Sequence, residues 1–432
     1  MTGSAPEATR RVIRAARLLD GTGAAPVEPA TLVVHGPRIE GVYRGWESRG
    51  RWPDDAPATD LRTCTLLPGL IDTHVHLVLP GDGTPFEETV REPDGTLVAI
   101  AFTNARRALL SGITTLRDCG GMRDTTFDLR RARALGYATL PRLFLCGVPL
   151  TITGGHCRYF GGEADGPDEL RRRVRGLAKA GADYIKIMGS GGGTVGTMSW
   201  RPSYSEAEVR AAVDEAHALG RRAGIHCLCG PAIERALAAG ADQIEHANFL
   251  VDASGRQEHD PRIADAIARA GTPVAATLSV GRYVIDRLSE RDPDSAGRRG
   301  PRSPDDQATL DRWRRMLDGN IDNIARLRRA GVHLVAGTDA GWRFVPFDGL
   351  VTEMSLLMET GLSSAEALVA ATSGAAAAMG LEDDTGALRE GLSADVIAVP
   401  GDPLAELDVL RRPALVMCEG TVVRGPGAAV VV

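Results

Sequence analysis

Between residues 67 and 380, short apolar runs alternate with stretches of helical periodicity, and this alternation restricts the fold more than any other feature. Pro167 to Gly181 places Leu170, Val174 and Leu177 on one stripe, and the strand-like Asp183-Tyr-Ile-Lys-Ile-Met188 follows. After a glycine-rich loop, Gly189 to Gly193, Ser205-Glu-Ala-Glu208 reads as a capping box. It opens a helix with Val209, Val213, Ala216 and Leu219 on one face and Gly220 as its stop. Ala223-Gly-Ile-His226, Asp242-Gln-Ile-Glu-His246, Pro273-Val-Ala-Ala276 and Val332-His-Leu-Val-Ala336 continue the strand series, with helical segments between. Strands separated by helices must pair in parallel, because a parallel partner is reached only through a crossover. At this length the α/β class resolves to a closed (β/α)8 TIM barrel over residues 67–380 rather than an open, doubly wound sheet. No Gly-x-Gly-x-x-Gly opens a helix after a first strand, so a dinucleotide fold is not indicated.

The two ends have another texture. Thr31-Leu-Val-Val34, Ile39-Glu-Gly-Val42, Asp395-Val-Ile-Ala-Val399 and Leu415-Val-Met-Cys418 are short strands broken by Gly and Pro. Residues 1–66 and 381–432 are therefore expected to build one composite β-sandwich. Residues 281–317 are charged and contain proline, between two strands. They read either as a solvated loop with a helix or as a lid, since loops on that face of a barrel build active sites.

The balance of 50 basic against 56 acidic residues, net −6, is not a nucleic-acid footprint. No apolar run approaches the roughly 18 residues of a membrane span. The first twenty residues carry arginines without an apolar stretch, so no secretory leader is read there. Seven scattered cysteines without a Cys-x-x-Cys fit a reducing, cytoplasmic setting. Of the 50 basic residues only Lys179 and Lys186 are lysine. A lysine kept in so arginine-rich a chain points to chemistry that guanidinium cannot perform, because a buried amine can deprotonate and be modified.

His74-Val-His76 ends an apolar run, and a period of two sends both imidazoles to one side. Two neutral nitrogens from one rigid element are half of a metal site. His226 and His246 each end a strand one βα unit apart, Lys186 sits one unit earlier, and Asp339 follows Leu334-Val-Ala-Gly-Thr338. Each has a bland reading: a satisfied core histidine, a helix N-cap, a lysine paired with a carboxylate. At the ends of strands 1, 4, 5, 6 and 8, however, they would converge on one barrel mouth. His35, His217 and His259 read as surface residues, and His333, which starts its strand, as structural. His156, in Thr153-Gly-Gly-His-Cys157, is either an exposed loop residue or a contact to substrate.

These segments together resemble the amidohydrolase superfamily. The resemblance rests on Pro68-Gly-Leu-Ile-Asp-Thr-His-Val-His76, Asp183-Tyr-Ile-Lys-Ile187, His226, Ile244-Glu-His246 and Gly337-Thr-Asp-Ala-Gly341. Ser111 to Asp118, Thr153 to His156, Ala238 to His246 and Gly386 to Asp395 extend it from about Val12 to Gly420. The similarity is to the binuclear group related to prolidase-type dipeptidases and imidazolonepropionase. It implies two divalent metal ions. His74, His76 and Asp339 would hold one, and His226 and His246 the other. Lys186, carbamylated by CO2, would bridge them, a role arginine cannot fill. Imidazole-rich N/O ligands suit zinc, with cobalt, manganese and nickel also able to bind. A hydroxide shared by the two ions would attack an amide, peptide or cyclic amide C–N bond of a small-molecule substrate. Asp339 would act as general base and acid, and His156 would contact the substrate or transition state.

A deaminase fits less well, because the mononuclear deaminases of this superfamily lack the strand-4 lysine and use an acid after strand 5, where this chain has Cys227-Leu-Cys229. A lyase such as a decarboxylase stays open, and a non-catalytic scaffold is disfavoured by retention of all six ligands. Related dipeptidases often carry a tyrosine for the substrate α-carboxylate where this chain has Leu228. A carboxylate would then need Arg158, Arg201 or Arg343, or the substrate is less charged. Self-association into a homo-oligomer is left open.

Overall fold

The computed structural model describes residues 10–290 and 304–428. Four strands open the chain: β1 (Arg10–Leu18), β2 (Ala30–His35), β3 (Arg38–Arg44) and β4 (Ala58–Pro68). Eight more follow in the middle: β5 (Leu70–Val75), β6 (Ile113–Asp118), β7 (Arg142–Leu145), β8 (Tyr184–Met188), β9 (Arg222–Cys227), β10 (Gln243–His246), β11 (Val274–Ala275) and β12 (Leu334–Val335). The last three are β13 (Val396–Pro400), β14 (Leu415–Cys418) and β15 (Thr421–Arg424).

Strands β5 to β12 all pair in parallel with their sequence neighbours, in two sheets ordered β5-β6-β7 and β8-β9-β10-β11-β12. Backbone contacts link the sheets at both edges. Leu150 bridges Ile187 and the Asp183 amide donates to Leu145 O (2.8 Å). On the other side Val75 bridges Ala340 and the Asp339 amide donates to His74 O (2.7 Å). Helices fill the crossovers as the periodicity indicates. Pro167–Ala180 ends on Gly181 in the left-handed region (φ 101°), and Glu206–Ala218 starts on the Ser205–Glu208 capping box. Strands β5, β6 and β8 are wholly buried, since helices outside and neighbours inside leave them no wet face.

The termini share one seven-stranded mixed sheet, ordered β15-β14-β13-β4-β1-β2-β3, where two packed layers were expected. Its far edge folds back: Arg38 bridges Ser393 and the Ile39 amide donates to Leu392 O (2.8 Å). One curled sheet thereby encloses its own core of Ile13, Leu32, Leu66, Val396 and Leu415. The chain passes from this sheet into the parallel strands at Gly69, where a side chain would overlap Thr114. Of the termini, residues 1–9 and 429–432 lie outside the described residues, as do residues 291–303 of the expected lid. The remainder of 281–317 is helical, within Ser279–Ser289 and Pro304–Arg329.

Candidate metal centre

Period-two alternation on β5 buries His74 (1% exposed), and His76 follows just past the strand end at 5%. β8 contributes Lys186, β9 His226 and β10 His246, each buried, and Asp339 follows β12. All six line one cavity of about 110 Å³, together with His156 and Leu228. Donor atoms of His74, His246 and Asp339 lie within 4.8 Å of one another. The ring centroids of His226 and His246 are 4.6 Å apart, and those of His156 and His226 also 4.6 Å. The backbone turns sharply here: His246 (φ 73°), Thr277 (φ 51°) and Asp339 (φ 62°) adopt left-handed conformations, an arrangement that concentrates at functional sites.

Neighbouring groups fix each imidazole. His74 Nδ1 is 2.9 Å from Glu245 Oε2, leaving Nε2 toward Asp339 Oδ1 at 3.6 Å. His246 Nδ1 accepts from the Thr277 hydroxyl or donates to it at 2.7 Å. His226 Nε2 is 3.1 Å from Gly191 O, and the carbonyl requires the imidazole to donate, which frees Nδ1. His76 Nε2 lies 3.2 Å from Asp339 Oδ1. Such outer hydrogen bonds set the tautomer and aim of metal-binding histidines.

Burial opposes charge on His226 and His246 and holds both well below the usual imidazole range, hence neutral. His156 is pushed down to about 3 for the same reason. His74 behaves differently. Burial again lowers it, but the charges of Cys119, Glu245 and Asp339 outweigh burial and the opposing Lys186, raising it to about 10. A cation at Nε2 would take the place of that proton. Asp339 is held below the ordinary carboxylate range: burial raises it, and His74, His76 and His246 more than reverse the effect.

The polar atoms here are incompletely matched. His76 Nδ1, Lys186 Nζ and Asp339 Oδ1 are buried with no hydrogen-bond partner. Lys186 Nζ sits 3.7 Å from Glu245 Oε1, beyond hydrogen-bond reach, because Arg117 Nη1 already donates to that oxygen at 2.7 Å. Unpaired buried polar atoms are expensive, on the order of 1–3 kcal/mol each. Their convergence on neutral imidazoles and a carboxylate is the donor set that divalent cations require, so the residues present fit a divalent metal site.

Several contributors were not anticipated. Glu245 and Arg117 form a buried pair behind His74 and Lys186, with Arg117 over the Tyr184 ring at 3.9 Å. The available signal was a charged residue inside an apolar strand, in Ile244-Glu-His246 and Thr115-Leu-Arg117. Asp72 accepts from the His74 amide (3.1 Å), the Thr338 amide (3.0 Å) and the Thr338 hydroxyl (2.6 Å). The Ser279 hydroxyl donates to Thr338 O at 3.1 Å, and Glu353 accepts from the Leu278 and Ser279 amides at 3.1 and 2.7 Å. This chain ties the Asp339 turn to the start of helix Ser279–Ser289. Nothing short of the folded chain brings residue 353 to residue 279.

Val280 and Gly281 from that helix, and Trp313, Met316 and Leu317 from Pro304–Arg329, line the cavity, so the described flanks of the expected lid reach it. The three arginines do not line it. Arg158 donates to Val195 O (3.1 Å), Arg201 is exposed, and Arg343 is exposed with its guanidinium over the Trp342 ring (4.6 Å to the ring centroid).

Residues 65–423 match the amidohydrolase family. Ochratoxinase of Aspergillus niger is 28% identical over 468 aligned positions, covering 98% of this chain and 88% of the relative. An imidazolonepropionase of Rhizorhabdus wittichii is 29% identical, covering 89% and 92%. A Xaa-Pro dipeptidase with bound methionine superimposes with a TM-score of 0.82 at 27% identity, over 96% of this chain and 100% of that one. A prolidase in complex with N-methylphosphonate-L-proline gives 0.81 at 27%, over 97% and 100%. The matched stretch takes in all eight parallel strands, the cavity they surround and strands β13 and β14 of the terminal sheet, and the chain accordingly belongs to the amidohydrolase family as a metal-dependent enzyme.

Proposed function

We propose that this enzyme hydrolyses an amide, peptide or cyclic amide C–N bond of a small molecule at a two-metal centre. His74, His76 and Asp339 would hold one ion and His226 and His246 the other, with Lys186 carbamylated by CO2 between them and zinc the preferred metal. The observation that carries the reading is the convergence of orphaned Lys186 Nζ, His76 Nδ1 and Asp339 Oδ1 among imidazoles kept neutral by burial. When bound, the ions supply an activated water at neutral pH and polarise the scissile carbonyl.

The chain's own groups do the rest. The Asp339 carboxylate takes a proton as the C–O bond forms and returns it to the leaving nitrogen. Its depressed pKa keeps it ionised at the start of the cycle. His156, neutral by burial, has Nδ1 2.9 Å from the Thr194 hydroxyl. With that hydroxyl donating, Nε2 carries the proton, and its contact there is the Cys157 thiol at 3.5 Å, a weak acceptor that the carbonyl oxygen would displace as negative charge develops. Glu245 and Arg117 hold His74 in place from behind. The eight parallel strands form one closed barrel in this reading, and the helices flanking 291–303 cover its mouth. The setting is cytoplasmic.

The test uses the full chain, stripped with a chelator and reloaded with zinc and bicarbonate. Its substrates are a panel of N-acyl amino acids, dipeptides and small lactams. Two equivalents of metal and activity that returns only with metal are expected. Amide hydrolysis indifferent to metal removal would overturn the proposal.

A further inference from the structure

Only 4% of the residues are aromatic, yet five aromatic rings stand in an unbroken series along one side of the cavity. Trp313 is 6.5 Å from Trp342 between centroids, Trp342 is 5.8 Å from Phe86, Phe86 is 5.8 Å from Tyr159, and Tyr159 is 4.9 Å from Phe160. Phe160 stacks on His76 at 5.9 Å, so the series ends on an imidazole of the metal centre. Four separate chain segments supply these rings. Trp313, Trp342 and Tyr159 are only partly buried, and all three face the cavity.

The surroundings keep this wall apolar and open. Leu228, Met316 and Leu317 complete it. The glycine-rich loop after β8 makes room for it: a Cβ on Gly193 would stand 2.8 Å from Trp342 Cζ2, and one on Gly192 2.5 Å from His156 Nε2. The Arg343 guanidinium lies over both indoles, 4.6 Å from the Trp342 centroid and 5.8 Å from that of Trp313, which helps to hold the two rings in place. The same cavity carries the polar His74, His246 and Asp339.

Resting on the hydrolase reading above, we propose that the substrate is a small amide bearing a flat aromatic ring on its acyl or amine side, seated against Trp342 and Trp313. Trp313 determines the preference, since it comes from the helix beyond the parallel strands, and no metal-site residue depends on it for position. Ring-on-ring contact of this kind contributes about a tenfold preference over a saturated ring of the same size.

The experiment measures kcat/KM for benzoyl and benzyl amides against their cyclohexyl counterparts in the metal-loaded enzyme. Wild type is expected to favour the aromatic member about tenfold, mainly through KM. Trp313→Leu should bring the ratio near one, and Trp313→Phe should keep most of it. In parallel, binding of methyl 2-naphthyl ketone, which has no amide to cleave, is followed by quenching of tryptophan fluorescence. Quenching that weakens in Trp313→Leu while no amide is turned over would support the aromatic seat and remove the hydrolase reading. Amide turnover with equal rates for aromatic and saturated rings in wild type overturns the aromatic seat and leaves the hydrolase reading standing. A ratio that survives in a folded Trp313→Leu overturns the role of Trp313.

Discussion

Two clusters of charge lie in different parts of the molecule, and they are built on opposite principles. At Arg142, where β7 begins, the guanidinium meets Asp395 (2.9 Å), Asp384 (3.0 Å) and Glu419 (3.3 Å) from the terminal sheet. Asp395 also accepts from the Thr385 hydroxyl and the Glu419 amide, both at 2.8 Å. Every charge there has a protein partner, and the cluster docks the terminal sheet onto the parallel strands. In the candidate metal centre, Lys186, His76 and Asp339 are buried more deeply than Arg142, Asp384 and Glu419, yet leave atoms unmatched. A closed network stabilises the fold, whereas an open one lowers the stability of the empty protein and is retained where something else completes it. Satisfaction, more than charge, separates the docking cluster from the candidate site.

The largest expected effect comes from Lys186→Met, which removes the orphaned amine. Activity should fall by at least about 10³-fold and bound metal should drop, while the melting temperature of the metal-free protein should hold or rise. A fall in that temperature, or full activity in Lys186→Arg, would place Lys186 with the structural cluster. Chelation extends the same contrast. Stripping metal from wild type should cost about 4 kcal/mol where free metal had stood a thousandfold above its Kd, and Lys186→Met should respond far less in calorimetry. Arg142→Ala is the converse: about 3 kcal/mol of stability lost in urea titration, with kcat of the folded fraction unchanged.

Glu353 tests the link between the Asp339 turn and helix Ser279–Ser289. Burial raises its carboxyl to about 7, against the bonds it accepts from Ser279 and Leu278. Its folded pKa thus exceeds the unfolded value of about 4.3. Between those values the native state binds the extra proton, so this group's contribution to stability falls as pH rises from about 4.3 to 7 and is level outside that window. Glu353→Gln should flatten that slope and lower stability by about 1 kcal/mol, one oxygen acceptor being kept for the two amides. An unchanged slope in denaturation across pH 4–8 would remove Glu353 from the account. The smallest effect is expected of Leu228→Tyr. If Leu228 is why a carboxylate lacks an anchor, the variant should gain several-fold in kcat/KM on simple dipeptides, roughly the value of one charged hydrogen bond. No gain would separate substrate choice from this position.

The parallel strand order was legible because hydrophobic periodicity acts locally. Strands from β8 to β12 sit where apolar runs meet Gly and Pro stops, and the six histidine, lysine and aspartate positions could be placed because strand ends on one side of a parallel sheet share a neighbourhood. The scarcity of lysine singled out Lys186 before any contact was known. The terminal sheet was legible as β-rich but not in its layering, since pairing of β4 with β13 and folding back of β3 onto Ser393 are contacts across more than 300 residues. The arginines went unplaced for a related reason: a loop sequence says that a side chain is charged, not which way the loop aims it.

By itself, then, the sequence determined which residues stand at strand ends, because a period of two and a crossover connection leave few alternatives. Only the tertiary structure decided which of those residues are unsatisfied. Glu245 and Arg117 neutralise each other while Lys186 Nζ stays 3.7 Å from Glu245 Oε1, outside hydrogen-bond reach, and Trp313 meets Trp342 only after two distant segments pack against one cavity. Periodicity is written within a dozen residues, but hydrogen-bond satisfaction depends on every group that reaches a site, and those groups come from the whole chain.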